Sequence, residues 1–100
     1  MFRLPAPRSA RGRERRGARY AVVVQADEFL HLSTTLVAPT STSAAPATFR
    51  PVISVDGEDT RVLVEQTTVL DPQRLGRSAG RLEVSELLAV DEALALILGL

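Results

Sequence analysis

The segment VSELLAVDEALALIL, residues 84–98, has the most regular pattern in this chain of 100 residues. Its apolar residues recur at intervals of three or four and would share one helix face: Leu87, Val90, Leu94 and Ile97. Glu86 lies near the start, where a carboxylate favours the positive end of the helix dipole, and Gly99 can end the helix. The pattern therefore predicts an amphipathic C-terminal helix that packs against the preceding part of the chain.

Short strand patterns precede this helix. The run YAVVV at residues 20–24 is apolar and largely β-branched, which is typical of a buried strand. The other predicted elements are strands at residues 35–39, 51–55, 61–66 and 67–70, a turn at Asp56-Gly57 and a helical turn at residues 71–75. Residues 1–18 are predicted to form a loop with a short strand at residues 2–4. Together these patterns predict the α+β class, mostly β, as a small curled sheet or barrel with one helix.

The composition excludes several kinds of site. The chain has no cysteine and a single histidine, His31, so disulfides, thiol nucleophiles, cysteine-containing metal sites and catalysis by paired imidazoles are excluded. No apolar run approaches the roughly 20 residues that span a bilayer. We therefore expect no cysteine-containing or histidine-cluster metal site and no membrane association, and the lack of cysteine fits a reducing cytoplasm.

Charge is unevenly distributed although the formal net charge is zero. All twelve basic residues are arginine, and seven of them lie within the first twenty positions: Arg3, Arg8, Arg11, Arg13, Arg15, Arg16 and Arg19. Glu14 is the only acid in that stretch, whereas the last eighteen residues contain four acids and no base. Because guanidinium groups bind phosphate in a bidentate manner, the basic end predicts an anionic partner. The alternative is a solvated basic arm.

Two further segments could bind a ligand. In APTSTS, residues 38–43, a strand is predicted to open into a hydroxyl-rich loop at residues 40–48, where Thr40 and Ser41 could hold a phosphate. Glu65-Gln66 is predicted to end a strand and could contact a partner or a nucleotide. Ordinary turn chemistry for the first segment and a solvent-facing glutamate for the second remain alternatives.

Taken in order, these segments resemble the MazF/PemK family of toxin endoribonucleases. The matching stretches are RGRERRGARYAVVVQ (11–25), LVAPTS (36–41), VEQ (64–66) and LDPQRLGRSAGRLEVSELLAVDEALALILGL (70–100). The resemblance implies one toxin domain over residues 1–100, with an SH3-like, CcdB/MazF-like small β-barrel. Within it, residues 1–18 would form a basic loop and a remnant of the first strand, residues 19–82 the barrel, and residues 83–100 the helix.

The resemblance also implies a function. The chain would be the toxin of a type II toxin–antitoxin pair, a homodimer in the bacterial cytoplasm that binds single-stranded RNA across the dimer groove. It would cut mRNA at short sequence motifs without a metal, by attack of a ribose 2′-hydroxyl on its own phosphate, and leave a 2′,3′-cyclic phosphate and a 5′-hydroxyl. A MazE-like antitoxin would neutralise it by laying an acidic tail over that groove.

The resemblance assigns catalytic roles to Arg19, Thr40 and Glu14. Arg19 remains protonated, so it would stabilise the charged phosphate and could donate a proton. Thr40 would orient the phosphate, and Glu14, kept ionised by its arginine neighbours, would be the base. The expected RNA-binding residues are Arg11, Arg13, Arg15, Arg16, Ser41 and Gln66.

The chain departs from the family at two places. The first strand is short, so either the true start lies upstream or a stunted strand leaves an exposed sheet edge. Tyr20 stands where a proline is common. Two other functions remain open: a catalytically inactive relative that binds RNA or titrates an antitoxin, and a gyrase-type toxin directed at a protein. The basic loop and Thr40 argue against a protein target.

Overall fold

The computed structural model describes residues 2–5, 20–76 and 78–100. Within these ranges the chain forms seven strands and one α-helix: β1 (Phe2–Pro5), β2 (Tyr20–Val23), β3 (Thr35–Ser41), β4 (Val52–Val55), β5 (Glu58–Val62), β6 (Thr68–Leu70), β7 (Gly80–Arg81) and α1 (Val84–Leu98). Three short 3₁₀ helices connect them: Asp27–Phe29, Val64–Gln66 and Pro72–Arg74. The helix and the short strands therefore confirm the predicted α+β class.

β3 is the central strand of an antiparallel sheet with the order β4-β5-β3-β2-β1-β7. Its beginning pairs with β6, its middle with β2, and its last two residues with β5. Pro39 lies where the partners change, and its carbonyl accepts a hydrogen bond from Leu63 N at 2.9 Å. Because proline has no N–H to donate, it is tolerated at an interruption in the ladder.

β5 and β6 both pair with the same side of β3, and the chain between them forms a bulge. Ala38 and Pro39 of β3 face the five residues 63–67, because the register moves from Thr40↔Val62 to Val37↔Thr68. The extra residues form the 3₁₀ helix Val64–Gln66, and Thr67 Oγ1 donates to Val64 O at 2.7 Å. The predicted strand at residues 61–66 is therefore wrong beyond Val62, and Glu65 and Gln66 do not end a strand. Val62, Leu63 and Val64 are all buried, which an alternating strand would not allow.

β1 is short, as predicted, but it is not an edge strand. Arg3 pairs with Val22 of β2 on one side and with Gly80 of β7 on the other. The prediction that a stunted first strand would expose the sheet edge is therefore wrong, because β7 covers it. The strand order ends at β4 and β7 instead.

The core lies between the sheet and α1. Its largest fully buried side chains are Ile53, Val22, Val62, Val64 and Val90. On the helix, Val90 and Ala93 are buried and Leu87 and Leu94 pack against the same cluster, whereas Ile97 is 40% exposed. The predicted apolar face is thus correct except at its last residue. The opposite face of β2 is buried as well, through Ala21 and Val23.

The start of α1 is fastened to the edge strand β4. One carboxylate oxygen of Glu86 accepts from Glu83 N at 3.0 Å, and the other accepts from Ser54 N at 2.8 Å. The first contact caps a free backbone donor of the helix, and the second occupies a donor on the sheet edge. Gly99 ends the helix with a φ of 73°, as predicted.

Candidate functional site

An open cavity of about 440 Å³ lies at the end of β3. Its polar lining comes from hydroxyl and amide side chains: Thr40, Ser41, Thr42, Ser43, Thr60 and Gln66. Its apolar lining comes from Tyr20, Pro39, Val55 and Leu63, and Glu58 supplies a carboxylate. Thr40 and Ser41, which the sequence predicted together, and Gln66, which it predicted in another segment, therefore lie around one cavity.

Thr40 lies within a strand, and its side chain has a backbone partner. The predicted loop from residue 40 is wrong at its beginning, because Thr40 and Ser41 extend β3 and pair with Val62 and Arg61. Thr40 Oγ1 lies 2.7 Å from Tyr20 O. A carbonyl oxygen only accepts, so the threonine donates its single proton there and cannot at the same time donate it to a phosphate. The contact joins β3 to the first residue of β2.

The residues after Thr40 carry hydroxyl groups that are partly committed to each other. Ser43 N donates to Ser41 Oγ at 3.2 Å, and the two serine hydroxyl oxygens are 3.4 Å apart. The first contact is the self-capping turn chemistry that was the alternative for this segment. Because one hydroxyl proton at most is used between the two oxygens, the other can be donated to a ligand oxygen.

Tyr20 joins β2 to the turn between β4 and β5. The predicted turn is confirmed, with Asp56 at φ 52° and Gly57 at φ 80°, the left-handed conformations that a tight two-residue hairpin requires. Tyr20 Oη donates to Asp56 Oδ2 at 2.7 Å. A proline at this position would have no group that could make this bond. The contact fixes the hairpin tip at one wall of the cavity.

Arg50 and Glu65 form an ion pair, and Glu65 directly precedes the lining residue Gln66 in the chain. Arg50 Nε and Nη2 both donate to Glu65 Oε2, at 3.0 and 2.7 Å, and Nη1 donates to Ala45 O at 3.1 Å. The two side chains are only 23% and 22% exposed. Hydrogen bonds from the Arg50 guanidinium hold the pKa of Glu65 below its usual value of 4.5. The pair connects the β3–β4 loop to the 3₁₀ helix that carries Gln66.

This ion pair was not predicted from the sequence. Glu65 is neither a solvent-facing residue nor a free ligand-binding group, since Oε2 is occupied by Arg50. Its other oxygen, Oε1, is buried and has no hydrogen-bond partner within the described ranges. Arg50 is the only arginine, aspartate or glutamate between Glu28 and Asp56, which is the signal that could have indicated an internal partner.

The remaining predicted site residues lie outside the described ranges: Arg11, Arg13, Glu14, Arg15, Arg16 and Arg19. Within these ranges, His31 is exposed and no three histidine, aspartate or glutamate side chains are grouped so that they could hold a metal ion. Over residues 2–5, 20–76 and 78–100, no helix has the length and apolarity that crossing a bilayer requires.

Comparison with known proteins identifies the family. The model of the family described as PemK-like, MazF-like toxin of type II toxin–antitoxin system matches residues 2–98. The chain is also 39% identical over 101 residues to a candidate toxin of Mycobacterium tuberculosis, an alignment that covers 100% of this chain and 94% of the relative. The chain therefore belongs to the PemK/MazF family of type II toxins.

Solved structures confirm the fold. The Mycobacterium tuberculosis toxin MazF-mt6 superposes with a TM-score of 0.81 at 20% identity, covering 100% of this chain and 98% of that one. An endoribonuclease from a mycobacterial species, solved with its cognate antitoxin, gives 0.81 at 17% identity and covers 99% and 92%. A MazE-MazF structure from Deinococcus radiodurans gives 0.77 at 17% identity and covers 99% and 92%. The predicted small, mostly β sheet with a C-terminal helix is the fold of these toxins.

Proposed function

We propose that this chain is an endoribonuclease that cuts single-stranded mRNA and thereby inhibits translation and growth. The observation that carries the proposal is the hydrogen bond from Thr40 to the carbonyl of Tyr20 beside the hydroxyl-lined cavity. This bond holds Tyr20 next to groups that can bind a sugar–phosphate backbone. Tyr20 directly follows Arg19 in the chain. Family membership and the name of the mycobacterial neighbour, an endoribonuclease, support the same reaction class.

The proposed reaction is an internal transesterification. The 2′-hydroxyl loses its proton and attacks the adjacent phosphorus, the bond from phosphorus to the 5′-oxygen breaks, and that oxygen takes up a proton. The products are a 2′,3′-cyclic phosphate and a 5′-hydroxyl. Because the nucleophile belongs to the RNA, no metal-activated water is needed, and we propose that the reaction is metal-independent.

Each step requires a group from this chain. We assign charge stabilisation at the phosphate, and proton donation to the leaving oxygen, to Arg19, and removal of the 2′-hydroxyl proton to Glu14. Thr40 acts as a positioning residue in this proposal, because its proton is donated to Tyr20 O. The hydroxyls of Ser41 and Ser43 and the amide of Gln66 then bind the RNA backbone, together with the arginines at positions 11, 13, 15 and 16.

The proposal extends to partners. We propose a homodimer in the bacterial cytoplasm, with RNA bound across the dimer and a MazE-like antitoxin covering the same surface. Two of the structural neighbours are toxins solved with an antitoxin, which supports that part of the proposal.

A cleavage assay on a long single-stranded RNA in EDTA tests the reaction. Arg19→Ala should abolish cuts at a repeated short motif, whereas Arg74→Ala should cut normally. Arg74 is a suitable control because it is exposed and follows β6, which pairs with the opposite end of β3 from Thr40. Cyclic phosphate ends would support transesterification. RNA binding without cutting would favour the inactive or antitoxin-titrating alternative, and a toxin that neither binds nor cuts RNA would favour a protein target.

A further inference from the structure

Glu58 is a carboxylate in the cavity that the proposed reaction does not use. It is the first residue of β5, directly opposite Val55 of β4, and both side chains line the cavity. The Glu58 side chain is exposed and makes no hydrogen bond or ion pair with another described residue. Among the described lining residues it is the only charged one.

A carboxylate in this cavity disfavours binding of a phosphate and favours binding of a nucleobase. Like charges repel, so the RNA backbone should follow the hydroxyl groups of residues 41–43, which also line the cavity, and avoid Glu58. The Tyr20 ring, Val55 and Leu63 provide apolar surface, as expected where an unstacked base is bound. The volume of about 440 Å³ is also within the range of small-molecule pockets.

We infer that this cavity is a nucleobase subsite and that Glu58 makes it selective for guanine. A carboxylate has two acceptor oxygens and no donor. On its Watson–Crick edge guanine presents two neighbouring donors, N1–H and the 2-amino group, which match the two oxygens. Adenine and cytosine present one amino donor beside a ring nitrogen acceptor, and uracil presents one N–H between two carbonyls. The second carboxylate oxygen would be repelled by each of these three bases. The inference rests on the proposed function, since it assumes an RNA substrate.

The inference also predicts the effect of one substitution. Glu58→Gln replaces two acceptors by one acceptor and one donor, which complements the amino group and the neighbouring ring nitrogen of adenine or cytosine as well as N1–H and O6 of guanine. The preference for guanine over these bases should therefore be lost. Asp59→Asn is the matched control, because it removes the same charge from the next residue, whose side chain points to the opposite face of β5 and does not line the cavity.

Binding and cleavage together test the inference. Binding is measured with 2′-fluoro oligouridine, which resists cleavage and contains a single guanine, hypoxanthine, adenine or cytosine. The unsubstituted protein should prefer guanine by about 5- to 150-fold over adenine and over hypoxanthine, which lacks the 2-amino group. Glu58→Gln should lose the preference for guanine over adenine, and Asp59→Asn should retain it. Mapping of cut sites on a long RNA should show the same change at one position of the motif.

The outcomes separate this inference from the proposed reaction. Guanine-selective binding without any cutting would support the subsite and overturn the nuclease. Cutting at a motif without guanine, or with the same base order in Glu58→Gln, would overturn the subsite and leave the nuclease intact. A protein that neither binds nor cuts RNA would overturn both.

Discussion

Removal of the Glu65 charge should destabilise the protein and thereby show that the ion pair with Arg50 is a structural element. In Glu65→Gln the amide has one acceptor and one donor group in place of the carboxylate. If its oxygen faces Arg50, its NH₂ group takes the place of Oε1, which is buried without a hydrogen-bond partner among the described residues. If its NH₂ group faces Arg50, two donors oppose each other. The first orientation keeps one polar group unsatisfied, as in the unsubstituted protein, but loses the charge that Arg50 binds, and the second also loses the acceptor.

The size of the effect follows from the geometry of the pair. Glu65 Oε2 accepts two hydrogen bonds from the guanidinium. A hydrogen bond to a charged group contributes roughly 1.5–3 kcal/mol, and solvent screening lowers this because about a fifth of each side chain is exposed. We expect the free energy of unfolding to fall by about 1–3 kcal/mol at neutral pH, and Tm by roughly 5–15 °C for a domain of this length.

The pH dependence provides a second test of the same pair. Because the pKa of Glu65 is lower in the folded protein than its usual value of 4.5, the carboxylate stabilises the fold fully above that value. The contribution is lost as the pH falls through the folded-state pKa. The difference in unfolding free energy between the unsubstituted protein and Glu65→Gln should therefore shrink below pH 4.5.

Urea unfolding followed by circular dichroism from pH 7 to pH 3 measures both quantities. Glu28→Gln is the control, because Glu28 is an exposed residue of the first 3₁₀ helix. Equal stability of Glu65→Gln and the unsubstituted protein at pH 7 would refute the reasoning. A difference that stays constant as the pH falls would refute the assignment to the charge.

Three further substitutions test contacts around the cavity. Thr40→Val should lower the free energy of unfolding by about 1 kcal/mol and reduce RNA cleavage, because Tyr20 O loses its donor, whereas Thr40→Ser should retain both; urea unfolding and a cleavage assay measure this. Tyr20→Phe should change stability by less than about 1 kcal/mol but increase amide hydrogen exchange at the hairpin tip, since the bond to Asp56 is lost. Gly57→Ala should cost about 1 kcal/mol in urea unfolding, because φ is +80° although a Cβ would meet no atom within 4 Å.

Local sequence patterns were sufficient to predict the elements that do not depend on pairing with a distant strand. The helix Val84–Leu98 is found where its apolar spacing predicts it, and the turn at Asp56-Gly57 follows from its two residue types. The segment at residues 61–66 was misread because Val62, Val64 and Gln66 alternate as in a strand. Leu63 is buried too, since the chain bulges there to match two residues of β3 with five. The bulge is determined by the register between strands that are distant in the sequence. No local sequence pattern encodes that register.

The candidate site was predicted in parts but not as a whole. Thr40, Ser41 and Gln66 were recognised from residue type, since hydroxyl and amide groups at the end of a strand suit a ligand. Their common location depends on the pairing of β3 with β5, which brings segments about twenty residues apart into contact. Glu58 was not recognised, because its sequence context, GEDT, is that of an ordinary hairpin. Its relevance depends on the cavity that β3 and Tyr20 form around it.

The position of the cavity follows from the change of partners along β3. Ala38 is fully buried in the core, Pro39 interrupts the ladder, and Thr40 binds the carbonyl of Tyr20. Beyond Pro39, β3 pairs with β5 and no longer with β2, and the cavity lies at this end of β3. Side chains line it, while the strands that carry them remain fixed by the core one residue away. Such an arrangement holds binding groups rigidly without filling the cavity, as a site that selects one base requires.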